Sequence, residues 1–147
     1  MDANRTALIV DDERLDVEFL KRVLTGAGFT VYTAAAYEEA IRIFDFQNEE
    51  IDLLLVDVSL PGRNGVELAQ ELLKRKHDLR LLFVSGHVGA EVIRFYGMQT
   101  TDRHFLQKPF TSTALLARIN EIMQSSTRVP WTTPDPEEDK PGAANKS

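Results

Sequence analysis

Leu53-Leu54-Leu55-Val56-Asp57 is a short apolar run that ends in a carboxylate, and Leu8-Ile9-Val10-Asp11-Asp12 shows the same pattern near the start of the chain. Short runs rich in Leu, Ile and Val are typical of strands buried on both faces of a parallel sheet. The three carboxylates would then stand at the carboxyl edge of one sheet, where open α/β sheets bind ligands. Because crowded like charges repel, we expect this edge to attract a positive group.

Strand-like and helix-like patterns alternate from Thr6 to about Ser126. We predict strands at 7–10, 30–34, 53–56, 80–84 and 104–106 from their apolar and β-branched content. Apolar residues at helical spacing occupy each connecting segment, most weakly between Val88 and Thr101, where Gly89 and Gly97 dilute the pattern. Repeated β-α units with short connections predict a parallel, doubly wound sheet with helices on both faces.

Capping residues support several of the predicted helix boundaries. Gly26 and Gly28 are expected to end the first helix, and Asn64 with Gly65 to open the third. Ser112 or Thr113 is expected to open the last helix.

The overall composition excludes several classes of function. The chain has 147 residues, of which 43% are hydrophobic, which suits one soluble domain with a small appendage. Its net charge of −6 argues against a large nucleic-acid footprint, and the absence of cysteine removes thiolate metal sites and thiol nucleophiles. No apolar run has the length of a membrane span, so we expect a cytoplasmic protein with no membrane partner.

Composition changes abruptly after Ser126. The segment Thr127–Ser147 holds four of the six prolines and the acidic run Glu137-Glu138-Asp139. Such a sequence lacks the apolar material needed to order it, so we predict one domain over residues 1–126 and a disordered tail over 127–147. Trp131 is either an exposed linker residue or an anchor onto the domain or a partner.

The carboxyl edge of the predicted sheet should carry two further polar side chains. Ser85 follows the fourth strand and Lys108 follows the fifth. Carboxylates are the ligands that Mg²⁺ prefers, while a lysine and a hydroxyl can bind phosphoryl oxygens. Since the chain has no cysteine and no triad-like serine and histidine, the best nucleophile is a carboxylate. Phosphoryl transfer onto an aspartate therefore fits these residues.

Four motifs occur in order, each at the end of a predicted strand. They are Val10-Asp11-Asp12-Glu13, the segment Val56–Gly65, Val84-Ser85-Gly86-His87 and the segment Phe105–Phe110. Together they closely resemble the receiver domain of two-component response regulators, over roughly Thr6 to Ser126. The resemblance implies a (βα)₅, flavodoxin-like three-layer sandwich with strand order 2-1-3-4-5.

The resemblance also implies roles for individual residues. Asp57 would accept a phosphoryl group from a sensor histidine kinase or a histidine phosphotransfer protein. Asp12, Asp57 and the backbone carbonyl of Ser59 would bind Mg²⁺, or Mn²⁺ in its place, and Asp11 would act through water. Lys108 would pair with Asp57 or its phosphate.

Other implied roles concern signalling. Ser85 would hydrogen-bond the phosphoryl oxygen, and Phe105 would be a switch whose rotamer follows Ser85. The Lys108-Pro109 peptide is expected to be cis. The signal would leave through the face made by the predicted fourth helix, the fifth strand and the last helix, towards a downstream protein or a second copy. We also predict that Ser59 and His87 flank the pocket where the attacking water should approach, and that they tune the lifetime of the phosphoryl group.

Each of these residues has an ordinary structural alternative. Asp11 or Asp12 alone could be a helix N-cap, and Lys108 a solvated loop lysine. Ser85 could serve only a turn, and Phe105 only the core. Ser59 and His87 could be exposed loop residues without effect. His77 and His104 resemble surface and sheet residues, and no histidine pair has metal-ligand spacing.

Two other functions compete with a phosphoacceptor that catalyses only its own phosphorylation and dephosphorylation. A phosphatase of the haloacid dehalogenase type also uses an aspartate nucleophile, Mg²⁺ and a lysine, but its motif separates the two aspartates by one residue, whereas Asp11 and Asp12 are adjacent. The other is an interaction module that no longer takes phosphate. We expect no output domain in the tail, and hence either a single-domain regulator or a receiver excised from a hybrid kinase.

Overall fold

The computed structural model describes residues 5–47, 50–86 and 104–124. They contain strands β1 (Arg5–Val10), β2 (Phe29–Ala34), β3 (Leu53–Asp57), β4 (Arg80–Ser85) and β5 (Phe105–Gln107). They also contain helices α1 (Arg14–Gly26), α2 (Tyr37–Gln47), α3 (Gly65–Arg75) and, as the last helix, α4 (Ser112–Gln124). The helix predicted between 88 and 101 and the tail predicted from residue 127 lie outside the described residues.

The five strands form one parallel sheet in the order β2-β1-β3-β4-β5. The register pairs Val10 with both Ala34 and Val56, and it pairs Asp57 with Val84. The carboxyl ends of β1, β3 and β4 are therefore level with one another. This arrangement confirms the predicted doubly wound fold and its strand order.

Two apolar cores lie on opposite faces of the sheet because alternate residues of each strand point to opposite sides. One core packs α2 and α3 on the sheet, and the other packs α1 and α4. Every residue of β3 is buried, as its unbroken apolar sequence predicts for a central strand. The result is the expected three-layer sandwich, with the helices covering both faces.

Local signals explain where the helices begin and end. The chain leaves α1 through Gly28, whose φ of 100° lies in the left-handed region that glycine adopts readily. Asn64 caps α3 as predicted, because its side chain accepts a hydrogen bond from the Glu67 amide at 2.9 Å. The last helix begins at Ser112, one of the two residues predicted to open it, but the side chain that caps it is Thr111, whose Oγ1 accepts from the Ala114 amide at 3.0 Å.

His104 was predicted in the fifth strand, but that strand begins at Phe105, and His104 is buried just before it. Within residues 5–47, 50–86 and 104–124, no helix has both the length and the apolar character needed to cross a bilayer.

Candidate functional site

Asp57 is the last residue of β3 and lies at the carboxyl edge of the sheet. It is only 6% exposed because β3 is central and buried along its whole length. Its Oδ1 accepts a hydrogen bond from the Ser59 amide at 2.9 Å. Gly65 lets the first turn of α3 pack directly on this strand end, and its amide donates to the Val58 carbonyl at 2.8 Å. One backbone amide thus holds the carboxylate, and the close packing of α3 holds the strand end that carries it.

Lys108 follows β5 and projects its ammonium into the same edge of the sheet. Its backbone amide donates to the Ser85 carbonyl at 2.7 Å, and the Lys108-Pro109 peptide is cis, as predicted. Its Nζ donates to Asp57 Oδ2 at 3.0 Å and to Asp11 Oδ2 at 3.0 Å. The sequence therefore predicted correctly that side chains from β1, β3 and the end of β5 come together.

Asp11, Asp12 and Asp57 form a compact acidic group. One carboxylate oxygen from each lies within 4.8 Å of the other two. Asp11 is buried and its Oδ1 accepts from the Glu13 amide at 2.9 Å, whereas Asp12 is exposed. Oxygen atoms at these separations from carboxylates on two strand ends suit a hard divalent cation such as Mg²⁺. The three residues present therefore fit the predicted metal.

Asp16 also reaches Lys108, a contact that the sequence pattern did not predict. It lies in the first turn of α1, and its Oδ2 accepts from Lys108 Nζ at 2.7 Å, the shortest of the three contacts of the ammonium. The helix that follows β1 begins at the carboxyl edge of the sheet, so an acidic residue in its first turn stands next to whatever occupies that edge. The position of Asp16 in that first turn was therefore the sequence feature from which its contact with Lys108 could have been predicted.

The local charges shift several pKa values. Burial raises the pKa of Asp11, although the Glu13 amide and Lys108 act in the opposite direction. Burial alone would lower the pKa of Lys108, but its hydrogen bonds to Asp16, Asp11 and Asp57 outweigh burial and raise it. The ammonium therefore stays charged, as a partner for phosphoryl oxygens requires.

Asp16 and Glu13 interact as neighbouring carboxyl groups. A hydrogen bond and charge repulsion from Asp16 raise the pKa of Glu13. Burial acts to raise the pKa of Asp16, but hydrogen bonds with Lys108 and Glu13 prevail and lower it. Asp16 therefore remains an anion beside Lys108.

The two serines predicted for the site have different environments. Ser85 is 1% exposed, and its hydroxyl has no hydrogen-bond partner among the described residues. A buried hydroxyl without a partner costs free energy, so it is unusual unless a ligand supplies the bond. Ser59 is exposed, and its amide holds Asp57.

Phe105 lies at the border of the core, and the described histidines differ in their exposure. Phe105 is half-buried against the core that contains Phe83, and its carbonyl accepts from the Arg118 guanidinium of α4. His77 is exposed, as predicted for a surface residue. His87 lies outside the described residues, so its tuning role remains a prediction.

Comparison with known proteins agrees with this geometry. Residues 7–120 match the family model described as the response regulator receiver domain. The chain belongs to this family. A curated relative is the transcriptional regulatory protein CpxR of Klebsiella pneumoniae, which is 34% identical over 119 residues. That match covers 81% of this chain and 49% of CpxR, so the receiver domain spans about half the length of this relative.

Solved structures give the same result. The CheY-like receiver domain protein of Methanospirillum hungatei has 25% identity and a TM-score of 0.71, covering 84% of this chain and 97% of that one. The non-phosphorylated HemR receiver domain of Leptospira biflexa has 28% identity and a TM-score of 0.71, covering 83% and 96%. Membership of this family gives the chain a phosphoacceptor role in two-component signal transduction.

Proposed function

We propose that Asp57 is the phosphoacceptor and that it takes its phosphoryl group from the phosphohistidine of a sensor kinase or phosphotransfer protein. The observation that carries this proposal is the 3.0 Å contact between the buried Asp57 carboxylate and the Lys108 ammonium, beside the carboxylates of Asp11 and Asp12. The Asp57 nucleophile and the Lys108 ammonium, which would bind the transferred group, thus lie together at the carboxyl edge of the sheet. The neighbouring Asp12 is exposed, so this edge is open to solvent.

The chemistry requires positioning and charge more than proton transfer. A carboxylate oxygen of Asp57 attacks phosphorus in line, the phosphorus–nitrogen bond of the ring-protonated phosphohistidine breaks, and the imidazole leaves as neutral histidine. Lys108 donates to the phosphoryl oxygens while charge develops on them. The signal ends when water attacks the acyl phosphate, which releases inorganic phosphate and restores the Asp57 carboxylate. The protein in this proposal acts only on its own aspartate.

The acidic group would hold the divalent cation. Asp12, Asp57 and the backbone carbonyl of Ser59 would bind Mg²⁺, or Mn²⁺, and Asp11 would contact it through water. When bound, the cation neutralises phosphoryl oxygens and lessens the repulsion among the carboxylates. The oxygen separations within the group support this assignment.

Ser85 and Phe105 would carry the signal. The Ser85 hydroxyl, which has no partner among the described residues, would bond a phosphoryl oxygen, and its movement would let the half-buried Phe105 ring turn inward. The change would reach a downstream protein or a second copy through the face that includes β5 and α4; the predicted helix between 88 and 101, which the sequence assigns to the same face, lies outside the described residues. Ser59 and His87 would adjust how readily water attacks the phosphoaspartate.

The test is labelling with acetyl phosphate and Mg²⁺, followed on gels that retard phosphoproteins. Wild type is expected to be labelled, Asp57→Asn to lose the label, and magnesium chelation to abolish it. Asp45→Asn is the matched control, because Asp45 is an exposed aspartate whose partner is Arg75, away from the site. Equal labelling of wild type and Asp57→Asn would refute the assignment, and turnover of free phosphate esters would favour a phosphatase.

A further inference from the structure

Lys108 uses its full hydrogen-bonding capacity before any phosphoryl group arrives. A lysine ammonium has three N–H donors, and Nζ contacts one oxygen each of Asp11, Asp16 and Asp57. Transfer to Asp57 creates new phosphoryl oxygens that also need donors at this position. Lys108 can therefore bind more than one phosphoryl oxygen only if it gives up one of its existing contacts with the three carboxylates.

The three carboxylates are not equally free to release the ammonium. The side chain of Asp11 is 0% exposed and that of Asp57 is 8% exposed, whereas that of Asp16 is 36% exposed. A buried carboxylate that loses its cation is left uncompensated, but water can replace Lys108 at Asp16. Asp16 is thus the contact that can be exchanged at least cost.

Asp16 also offsets part of the positive charge that Lys108 presents to an incoming phosphoryl donor. The acidic group of Asp11, Asp12 and Asp57 already faces one ammonium. Asp16 is a third carboxylate bound to that ammonium, at 2.7 Å, and it weakens the attraction of the ammonium for an incoming anion.

We infer that Asp16 is a positioning residue that restrains phosphorylation, because it holds one N–H donor of Lys108 towards α1 and away from the phosphoryl group. This inference rests on the proposed function, since it requires Asp57 to be the acceptor. Removing the Asp16 carboxylate frees one donor without disturbing the contacts of Lys108 with Asp11 and Asp57. Phosphorylation of Asp57 then becomes faster.

The test compares initial labelling rates by acetyl phosphate at saturating Mg²⁺. Asp16→Asn keeps the size of the side chain and removes its charge, and Asp16→Ala removes the acceptor altogether. Both variants are expected to be labelled about three- to fivefold faster than wild type, the effect of one partly exposed ion pair. Glu18→Gln is the matched control on the same helix, because Glu18 is exposed and pairs with Arg14; its rate should equal that of wild type.

A second comparison shows whether Asp16 acts through Lys108. In a Lys108→Ala background, Asp16→Asn is expected to leave the residual labelling rate unchanged, and acceleration there would overturn the inference. An equal acceleration by Glu18→Gln would also overturn it, since the effect would then be one of overall charge. Urea unfolding establishes that each variant is folded.

The outcomes separate the two proposals. No labelling of wild type would overturn the proposed function and this inference with it. If Asp57 of wild type is labelled and the Asp16 variants are labelled at the same rate or more slowly, the inference alone is wrong.

Discussion

Gly65→Ala should damage both the stability and the chemistry of the domain. A Cβ at Gly65 would lie 2.8 Å from Val56 Cγ2 and 2.9 Å from the carbonyl carbon of Asp57, and it would clash with the Asp57 carbonyl oxygen. Ordinary carbon–carbon contacts are longer than 3.4 Å, and most of these atoms are backbone. The first turn of α3 and the end of β3 must therefore move apart by several tenths of an ångström.

The size of the effect follows from this overlap. Overpacking a buried site costs about 1–3 kcal/mol, which for a domain of this size lowers the melting temperature by about 4–12 °C. Displacement of Asp57 relative to Lys108 should also slow labelling by acetyl phosphate by roughly tenfold or more, since a 1 Å error in position can cost a hundredfold.

The assay is urea and thermal unfolding by circular dichroism, together with the labelling rate. Gly26→Ala is the matched control, because no atom lies within 4 Å of a Cβ at that helical position. It is expected to stabilise the domain by about 0.4–1 kcal/mol through the unfolded chain. A Gly65→Ala protein that unfolds within ~0.5 kcal/mol of wild type and is labelled at the same rate would refute the packing of α3 on Asp57 described here.

Three further predictions concern single side chains. Asn64→Ala removes the acceptor for the Glu67 amide and should cost about 0.5–2 kcal/mol in urea unfolding, whereas Asn64→Ser should retain most of the stability. Asp12→Asn removes an exposed carboxylate of the acidic group and should weaken Mg²⁺ binding in calorimetry about tenfold while leaving the domain folded, with unchanged affinity contradicting the assigned ligand set. Because burial raises the pKa of Asp11, its contribution to stability is present below the unfolded pKa and is lost as pH rises through the folded pKa. In magnesium-free buffer, Asp11→Asn should therefore gain stability relative to wild type as pH rises above the ordinary aspartate pKa, and a difference independent of pH would contradict the effect.

The sequence predicted the parts of this fold that depend on simple patterns. Leu53–Asp57 gave a central strand because its apolar run is unbroken, and the register of parallel strands then brought Asp11 and Asp57 together. Lys108 was predicted at the same edge from its place after the fifth strand, and the structure puts it 3.0 Å from both carboxylates. These positions follow from topology alone.

Other features depend on side-chain geometry that periodicity does not contain. The contact between Asp16 and Lys108 requires the exact rotation of α1 about its axis. The cap at Thr111 was missed because Ser112 and Thr113 are equally good capping residues in sequence. The close approach of Gly65 to Asp57 depends on how α3 docks on β3, whereas the sequence marked Gly65 only as a helix start.

The central claim is that Asp57 becomes an aspartyl phosphate, and locating the modified residue tests it most directly. Borohydride reduces an acyl phosphate to the alcohol, which converts a phosphorylated aspartate to homoserine that mass spectrometry can place in a peptide. After incubation with acetyl phosphate and Mg²⁺, the account predicts homoserine at position 57 and at none of positions 11, 12 and 16. Homoserine at another position, or none in a protein that binds Mg²⁺ and is fully folded, would contradict it.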